Sequence, residues 1–216
     1  AALPATESVR PLLDFPERLA TAVGDHIYLV PGGYEFDGRN ISPLGENEVA
    51  AAVRDIKRKG LRSVAISCVF SPINPAMEKR IAEIVQGEIA DAEVTLSADI
   101  GRVGLIEREN ATIMNASLVE LSKRVVGSFR DALRNLNITA PFFVSQNDGT
   151  LMSADYVERY PVLTFASGPT NSMRGAARLS GQQNAIVVDI GGTTTDVGVL
   201  AQGFPRESVI SVDIGG

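Results

Sequence analysis

Asp189-Ile-Gly191-Gly192-Thr193-Thr194-Thr195-Asp196 combines two aspartates, two glycines and three threonines in eight positions. Glycines permit positive φ and let a ligand approach the backbone closely. Consecutive turn amides form an anion-binding concavity, and threonine hydroxyls add donors to it. Asp189 and Asp196 would repel a bare phosphate, but they suit a hard cation held through oxygens and water. Phosphate donors beside metal-ready carboxylates point to a nucleotide-metal site. The competing explanation is a surface hairpin whose turn is Gly-Gly and whose threonines serve β-propensity.

The elements that must position this run lie on both sides of it. Ala185–Val188 and Ile190 form a short, β-branched apolar run, which predicts a buried strand. Val197, Val199 and Leu200 resume the pattern and predict its hairpin partner. Upstream, Ser167-Gly168-Pro169 opens a small-residue helix through Gly175, Ala176 and Ala177. Gly168-Pro169 at a helix start leaves amides free to face an anion. Close packing of a glycine-alanine helix on a sheet explains the same residues equally well. Gly181-Gln182-Gln183 then turns the chain into the strand.

Further upstream the chain reads as α/β. The prolines at 4, 11 and 16 make Ala1–Ala20 connecting chain with a short helix. His26–Val30 predicts a strand, Pro31-Gly32-Gly33 a turn and Tyr34–Phe36 a return. Glu46–Lys59 predicts a helix with Val49, Ala52, Val53 and Ile56 on one face and Gly60 closing it. A buried strand over Ser63–Phe70, a helix started by Asn74-Pro75 and a strand over Glu93–Ser97 follow. That order predicts right-handed crossovers and a parallel sheet. A long helix runs from Gly104 or Leu105 towards Leu136, with Leu118, Leu121, Val125, Phe129, Ala132, Leu133 and Leu136 at helical spacing. Glu107-Arg108-Glu109-Asn110, beside Asn115, reads as a solvated cluster of i,i+4 pairs. Pro141–Ser145 predicts a strand and Gln146–Thr150 its turn. Ser208–Ile214 predicts a last strand, and Asp213-Ile-Gly-Gly216 reads as strand-end chemistry, not a second copy of the central motif.

Composition narrows the function classes. The 216 residues, 44% hydrophobic, are enough for one large domain or two small ones. A net charge of −6 and a pI near 4.9 argue against nucleic-acid or anionic-membrane partners. Cys68 is the single cysteine and His26 the single histidine, which excludes zinc clusters and Cys-His catalysis. The absence of a disulfide framework makes a reducing cytoplasm the expected compartment. No apolar run is long enough to span a membrane. Without an initiator methionine, and with Ile214-Gly-Gly216 following an apolar run, the chain reads as a piece of a longer protein.

The Asp-hydrophobic-Gly-Gly-Thr-x-Thr-Asp order resembles the phosphate loop of the actin, sugar-kinase and Hsp70 superfamily, in which a β-hairpin loop holds ATP phosphates. Together with Phe143-Val-Ser-Gln-Asn-Asp-Gly-Thr-Leu151 and Ser167-Gly168-Pro169 it resembles the hydantoinase A and 5-oxoprolinase family. Ser71-Pro72-Ile73-Asn74-Pro75 before Glu78, and Glu107-Arg108 before Asn115-Ala116, follow that family's pattern in the same order. The similarity covers the chain from about Pro43 onwards. Where the family more often has small residues after its Ser-Gly-Pro, this chain has Thr170 and Asn171.

The resemblance implies a fragment of an actin-like ATPase (ribonuclease H-like) fold, with mixed sheets and flanking helices. Its parts would be an α/β portion over 1–103, a connecting helix over 104–137, and the start of a second ATPase-like subdomain over 138–216. It implies ATP and Mg²⁺ as cofactors. The amides of Gly191, Gly192 and Thr193 would contact phosphate, Thr194 and Thr195 would add hydroxyls, and Ser167 and Gly168 would join the nucleotide contacts. Asp189 would hold Mg²⁺ through water, and Asp196 would support the metal or activate water. The implied activity is ATP-dependent opening of a hydantoin, 5-oxoproline or related cyclic amide, through phosphorylation of the amide oxygen. Family members also carry an earlier Gly-Gly-Thr loop and C-terminal sequence, and often need a second subunit, so these 216 residues alone are expected to bind nucleotide weakly without turnover. A small-molecule kinase of the same superfamily and a non-catalytic nucleotide-binding regulatory module remain open as alternatives.

Overall fold

The computed structural model describes residues 17–24 and 26–206. The expected connecting stretch before Glu17, the strand at 208–214 and the Asp213–Gly216 echo lie outside the described residues. The chain divides between Ser117 and Leu118 into two compact units.

The first unit contains α1 (Glu17–Val23), α2 (Glu46–Arg58), β1 (Ser63–Ile66), α3 (Ala76–Glu88), β2 (Glu93–Leu96), the single turn α4 (Ser97–Ile100) and the start of α5 (Leu105–Asn135). Helix α2 has Glu46 and Glu48 in its first turn and Lys57 and Arg58 in its last, each placed favourably against the helix dipole. Gly60, at φ +69°, takes the chain out of it. Its apolar face buries Val49, Val53 and Ile56 against Val85 of α3 and against Ile89 and Ala92. Asn74 accepts the Ala76 amide at 3.1 Å at the head of α3. Strands β1 and β2 pair in parallel, Ser63 with Glu93 through Ile66 with Leu96, as the β-α-β order predicts.

Three expectations for this unit need correction. The strand at Ser63 ends at Ile66, not Phe70, because the chain leaves the sheet to meet a side chain: the Cys68 amide donates to Glu78 Oε1 at 2.8 Å. Phe70 then takes a left-handed φ of 54°. Residues 26–30 form no strand; Tyr28 and Val30 instead pack against the α2–α3 core. The returning stretch is reduced to a bridge between Tyr34 and Asn40, and Tyr34 is buried with its hydroxyl accepting the Met77 amide at 3.0 Å.

The third correction concerns Arg108, which is 2% exposed and not part of a solvated cluster. It lies at the centre of a buried polar network. Its Nε donates to Ser97 Oγ at 3.0 Å, its Nη2 to the Cys68 carbonyl at 2.6 Å, and its Nη1 to the carbonyls of Arg102, Val103 and Gly104 at 2.9, 2.8 and 3.1 Å. Ser97 Oγ donates in turn to Glu78 Oε1 at 2.5 Å, and the Ala98 amide donates to Glu78 Oε2 at 3.0 Å. One turn further along α5, Thr112 Oγ1 donates to the Arg108 carbonyl, and Asn115 Nδ2 donates to Thr95 Oγ1 at 3.2 Å. Among the described residues no buried side-chain nitrogen or oxygen lacks a partner. The network therefore fastens the head of α5 to the ends of β1 and β2. Burial holds the Arg108 pKa below its usual value, the opposing pull of the Glu78 charge notwithstanding.

The second unit continues α5 from Leu118 and adds β3 (Phe143–Ser145), β4 (Leu151–Ser153), α6 (Ala154–Arg159), a 3-10 turn (Pro161–Thr164), α7 (Ser167–Ser180), β5 (Ala185–Ile190), β6 (Thr195–Ala201) and the short β7 (Phe204–Pro205). Its core gathers Val126, Met152, Ala154 and Val157. The helical spacing along α5 holds, but the buried face is Val119, Ser122 and Val126; Leu121, Val125, Phe129 and Leu136 are exposed. Ser122 faces inward because its hydroxyl donates to the Val157 carbonyl at 2.9 Å. The Gln146–Thr150 turn joins β3 to β4, a strand that the alternation over Leu151–Ser153 was too short to reveal.

Arg108→Ala should lower the stability of the first unit by about 3–5 kcal/mol, because it leaves Ser97 Oγ and four backbone carbonyls in a buried site without their donor. Arg108→Lys should recover less than half, since an ammonium cannot reach five acceptors from one plane. Denaturant unfolding measures both, and a loss under about 1 kcal/mol for the alanine variant would contradict the network's role.

Candidate functional site

Strands β5 and β6 pair antiparallel from Ala185 opposite Leu200 to Ile190 opposite Thr195, as the apolar runs predict. Gly191 donates its amide to the Thr194 carbonyl at 2.9 Å and closes a tight turn around Gly192 and Thr193. Register places Asp189 directly opposite Asp196, so both carboxylates share one face beside the turn. Like charges in that position destabilise a strand pair. Neither carboxylate makes a hydrogen bond or ion pair among the described residues. A cation between them would remove the repulsion. Among the described residues no three His, Cys, Asp or Glu side chains group as a metal site. Two carboxylates with water and phosphate oxygens remain a fit for Mg²⁺, which keeps much of its own hydration.

The glycines of the turn act differently from expectation. Neither Gly191 nor Gly192 has a positive φ. At Gly191 an added Cβ would lie 3.2 Å from the Thr194 carbonyl, so the tightness of the turn accounts for it. At Gly192 nothing lies within 4 Å of the position a Cβ would occupy. Neither backbone conformation nor packing requires a glycine there. Thr193, Thr194 and Thr195 are exposed around the same turn.

The face bearing the two aspartates also carries Val187 and Gly198, which are opposite each other. Helix α7 packs on this face: an added Cβ on Gly198 would collide with Sδ and Cε of Met173. Arg174 donates to the Gly203 carbonyl at 2.6 Å and stacks over the Phe204 ring, 4.1 Å from its centroid, at the end of the hairpin away from the turn. The end of α7 joins the start of β5 through Gly181, at φ +71°. The helix therefore runs against β5, and its first turn, with Ser167 and Gly168, lies toward the turn end of the hairpin. Ala166 caps that helix at φ 55° without a side-chain hydrogen bond, leaving the first amides of α7 uncapped by any side chain. Gly168 and Gly175 have nothing within 4 Å of a built Cβ, so close packing is not their reason.

Thr170 resolves the departure noted after Ser-Gly-Pro. It is buried, and its Oγ1 reaches the Ser167 carbonyl at 2.9 Å and the Gln146 carbonyl at 3.3 Å. The Gln146–Thr150 turn is thus tied to the first turn of α7, a link invisible in the sequence because the two segments are far apart in it. Gly149, at φ +81°, lies within 3.2 Å of both Arg174 and Pro205 at its built Cβ. Cys68 belongs to the first unit, where burial and the Glu78 charge push its thiol up to about 11, unsuited to a nucleophile.

The strand pair is less buried than expected. Val187 and Asp189 are half-buried, whereas Ile186, Val188 and Ile190 on the other face are exposed. No helix among the described residues is long and apolar enough to cross a membrane.

Comparison with known proteins shows the family. The hydantoinase/oxoprolinase family model matches residues 108–216, and the model of that family's N-terminal region matches residues 1–89. The chain belongs to the hydantoinase/oxoprolinase family. It is 29% identical over 181 residues to the acetophenone carboxylase gamma subunit of Aromatoleum aromaticum, covering 80% of this chain and 24% of that protein. The solved ATP-dependent caprolactamase of Pseudomonas jessenii superposes with a TM-score of 0.71 at 28% identity, over 79% of this chain and 25% of the other. The nucleotide-free structure of an acetone carboxylase, an enzyme of ATP-dependent acetone carboxylation, superposes with a TM-score of 0.65 at 28% identity, over 81% of this chain and 25% of the other. The chain thus spans about a quarter of the length of the relatives it matches.

Asp189→Asn should raise the melting temperature slightly in chelator, as removing one of two opposed charges recovers about 0.2–1 kcal/mol. The wild-type chain should gain stability on adding millimolar Mg²⁺ with nucleotide, and the variant should not. Equal responses of the two proteins would show that the paired aspartates do not attract the cation.

Proposed function

We propose that this member of the hydantoinase/oxoprolinase family forms the phosphate-holding part of an ATP-dependent enzyme that opens a hydantoin, 5-oxoproline or related cyclic amide. The observation that carries the reading is the pairing of Asp189 with Asp196 beside a turn whose Gly192 is required by neither conformation nor packing. In this reading the fold is a portion of an actin-like ATPase. The amides of Gly191, Gly192 and Thr193 orient phosphate oxygens, and the hydroxyls of Thr193, Thr194 and Thr195 add donors. Ser167 and Gly168 present the uncapped start of α7 from the adjacent helix, whose dipole favours negative charge there. Asp189 and Asp196 would hold Mg²⁺, which when bound neutralises charge on the transferring phosphoryl group.

An unstrained amide has a poor leaving group, and phosphorylating its oxygen with ATP activates the carbon. One water adds there, and the C–N bond breaks as the ring nitrogen takes up protons and leaves as an amine. A second water hydrolyses the resulting acyl phosphate to a carboxylate and inorganic phosphate. The residues of this chain contribute position and charge to the phosphorylation step. Relatives are named as subunits, the acetophenone carboxylase gamma and caprolactamase alpha chains among them, which supports a second polypeptide as partner.

The full-length protein, assayed with its partner subunit for ADP release on a panel of hydantoins and lactams, should consume ATP in step with ring opening. Asp189→Asn should reduce that turnover by two or more orders of magnitude, each factor of ten being about 1.4 kcal/mol of lost transition-state stabilisation. ATP consumption dependent on a ketone and bicarbonate would replace the cyclic-amide substrate with a carboxylation substrate. A phosphorylated product would identify a kinase, and no consumption with any substrate would leave a regulatory module.

A further inference from the structure

The segment that leads into α7 begins and ends on neighbouring residues of the Gln146–Thr150 turn. At its start the Leu163 carbonyl accepts the Asn147 amide at 2.8 Å. At its end the Thr170 hydroxyl, 8% exposed, is shared between the Ser167 carbonyl at 2.9 Å and the Gln146 carbonyl at 3.3 Å. The turn that takes both anchors is itself closed. The Gly149 amide donates to the Gln146 carbonyl at 3.1 Å and the Gln146 amide to the Thr150 carbonyl at 2.8 Å. Asp148 Oδ1 accepts the amide and the hydroxyl of Thr150 at 2.8 and 2.7 Å. Ahead of the segment, Pro161 and Val162 are buried and Leu163 packs on the unit's core.

Ala166 lies between the two anchors, at φ 55° and ψ 24°. A residue with a Cβ keeps that left-handed conformation only where its surroundings hold it. Ala166 is exposed and has only a methyl group to pack, so the hold comes from its flanks. The reversal of φ separates α7 from the 3-10 turn before it. It thereby sets the direction in which the helix starts, and with it the aim of the Ser167 and Gly168 amides.

We propose that Thr170 is a positioning residue: by tying α7 to the Gln146 carbonyl, its hydroxyl holds Ala166 left-handed and aims the Ser167 and Gly168 amides at phosphate. The proposal rests on the reading that those amides meet the nucleotide, and it adds the side chain that orients them. Being buried, Thr170 acts through the backbone and not by touching the nucleotide. Its removal leaves the Gln146 carbonyl the bond from Gly149, so the fold should survive the change.

Steady-state kinetics of the full-length protein with its partner subunit test this. Thr170→Val keeps the side chain's shape and loses the donor. It should raise KM for ATP on the order of tenfold, the loss of one hydrogen bond to a charged group. Its kcat should stay within about twofold, because the contact is made equally in ground and transition states. Thr170→Ser restores the donor and should return KM to the wild-type value. Adding Ala166→Gly to Thr170→Val should recover part of the loss, since glycine takes left-handed backbone without strain. A hydroxyl that served packing alone would show no such rescue. Thr170→Ala carries the same expectation as the valine variant and replaces it if valine does not fold. A wild-type KM in Thr170→Val, or a raised KM that either serine or Ala166→Gly fails to lower, overturns the proposal. Asp189→Asn, assayed alongside, separates it from the reading beneath it. Full turnover in that variant would sink the phosphate-site reading, whereas an unchanged KM in Thr170→Val beside an inactive Asp189→Asn enzyme would sink only the positioning role.

Discussion

The register of β5 against β6 is the constraint on which the candidate site depends. It is held by a steric fit: Gly198 faces α7, and Met173 occupies the space any side chain there would need. A slip by one residue would send Gly198 to the other face and drive Val197 or Val199 into Met173. With Gly198 fixed opposite Val187, Asp189 must sit opposite Asp196 and Gly191 must close on Thr194. The repulsion between the carboxylates is therefore imposed by packing several residues away. A fold that accepts such a pair without a neighbouring base has placed negative charge where a cation can use it.

The first unit reaches a different outcome at a comparable place. In open α/β sheets, ligands commonly bind beyond the carboxyl ends of the strands. Here the ends of β1 and β2 are occupied by the protein's own groups, with the Glu78 carboxylate accepting the Cys68 and Ala98 amides and Ser97 Oγ, and Arg108 drawing in the carbonyls around it. The polar residues that follow the family pattern in this region, Glu78, Arg108 and Asn115, thus hold the head of α5 to the sheet. Their chemistry is consumed in mutual satisfaction, whereas Asp189 and Asp196 have none.

Local signals in the sequence were sufficient where a segment's own periodicity determined its structure. Helix α2, the parallel β1–β2 pair, helix α5 and the β5–β6 hairpin all follow from apolar spacing and turn residues. What could not be read depended on contacts distant in sequence. Arg108 looked solvated because its acceptors lie on Cys68, Ser97 and the 102–104 backbone, and Ser63–Phe70 looked like one strand because Glu78 was not known to capture Cys68. Helical spacing alone likewise does not settle which face of α5 is buried: Leu121, Val125 and Phe129 form a more apolar row than Val119, Ser122 and Val126, yet the latter row meets the unit's core. The motif itself identified the aspartates and the turn, but only the register showed the two carboxylates opposed and the space over Gly192 open.

The central claim is that this turn holds phosphate with the help of a cation between the two aspartates. Titrating the isotopically labelled chain with Mg·ATP, and separately with ATP in chelator, while following backbone amide resonances tests it most directly. The account predicts that the largest shifts fall on Gly191, Gly192, Thr193 and Thr194, with smaller ones at Ser167 and Gly168, and that they weaken when the metal is withheld. Turn amides that stay unmoved at saturating nucleotide, or that shift equally with and without Mg²⁺, would contradict it.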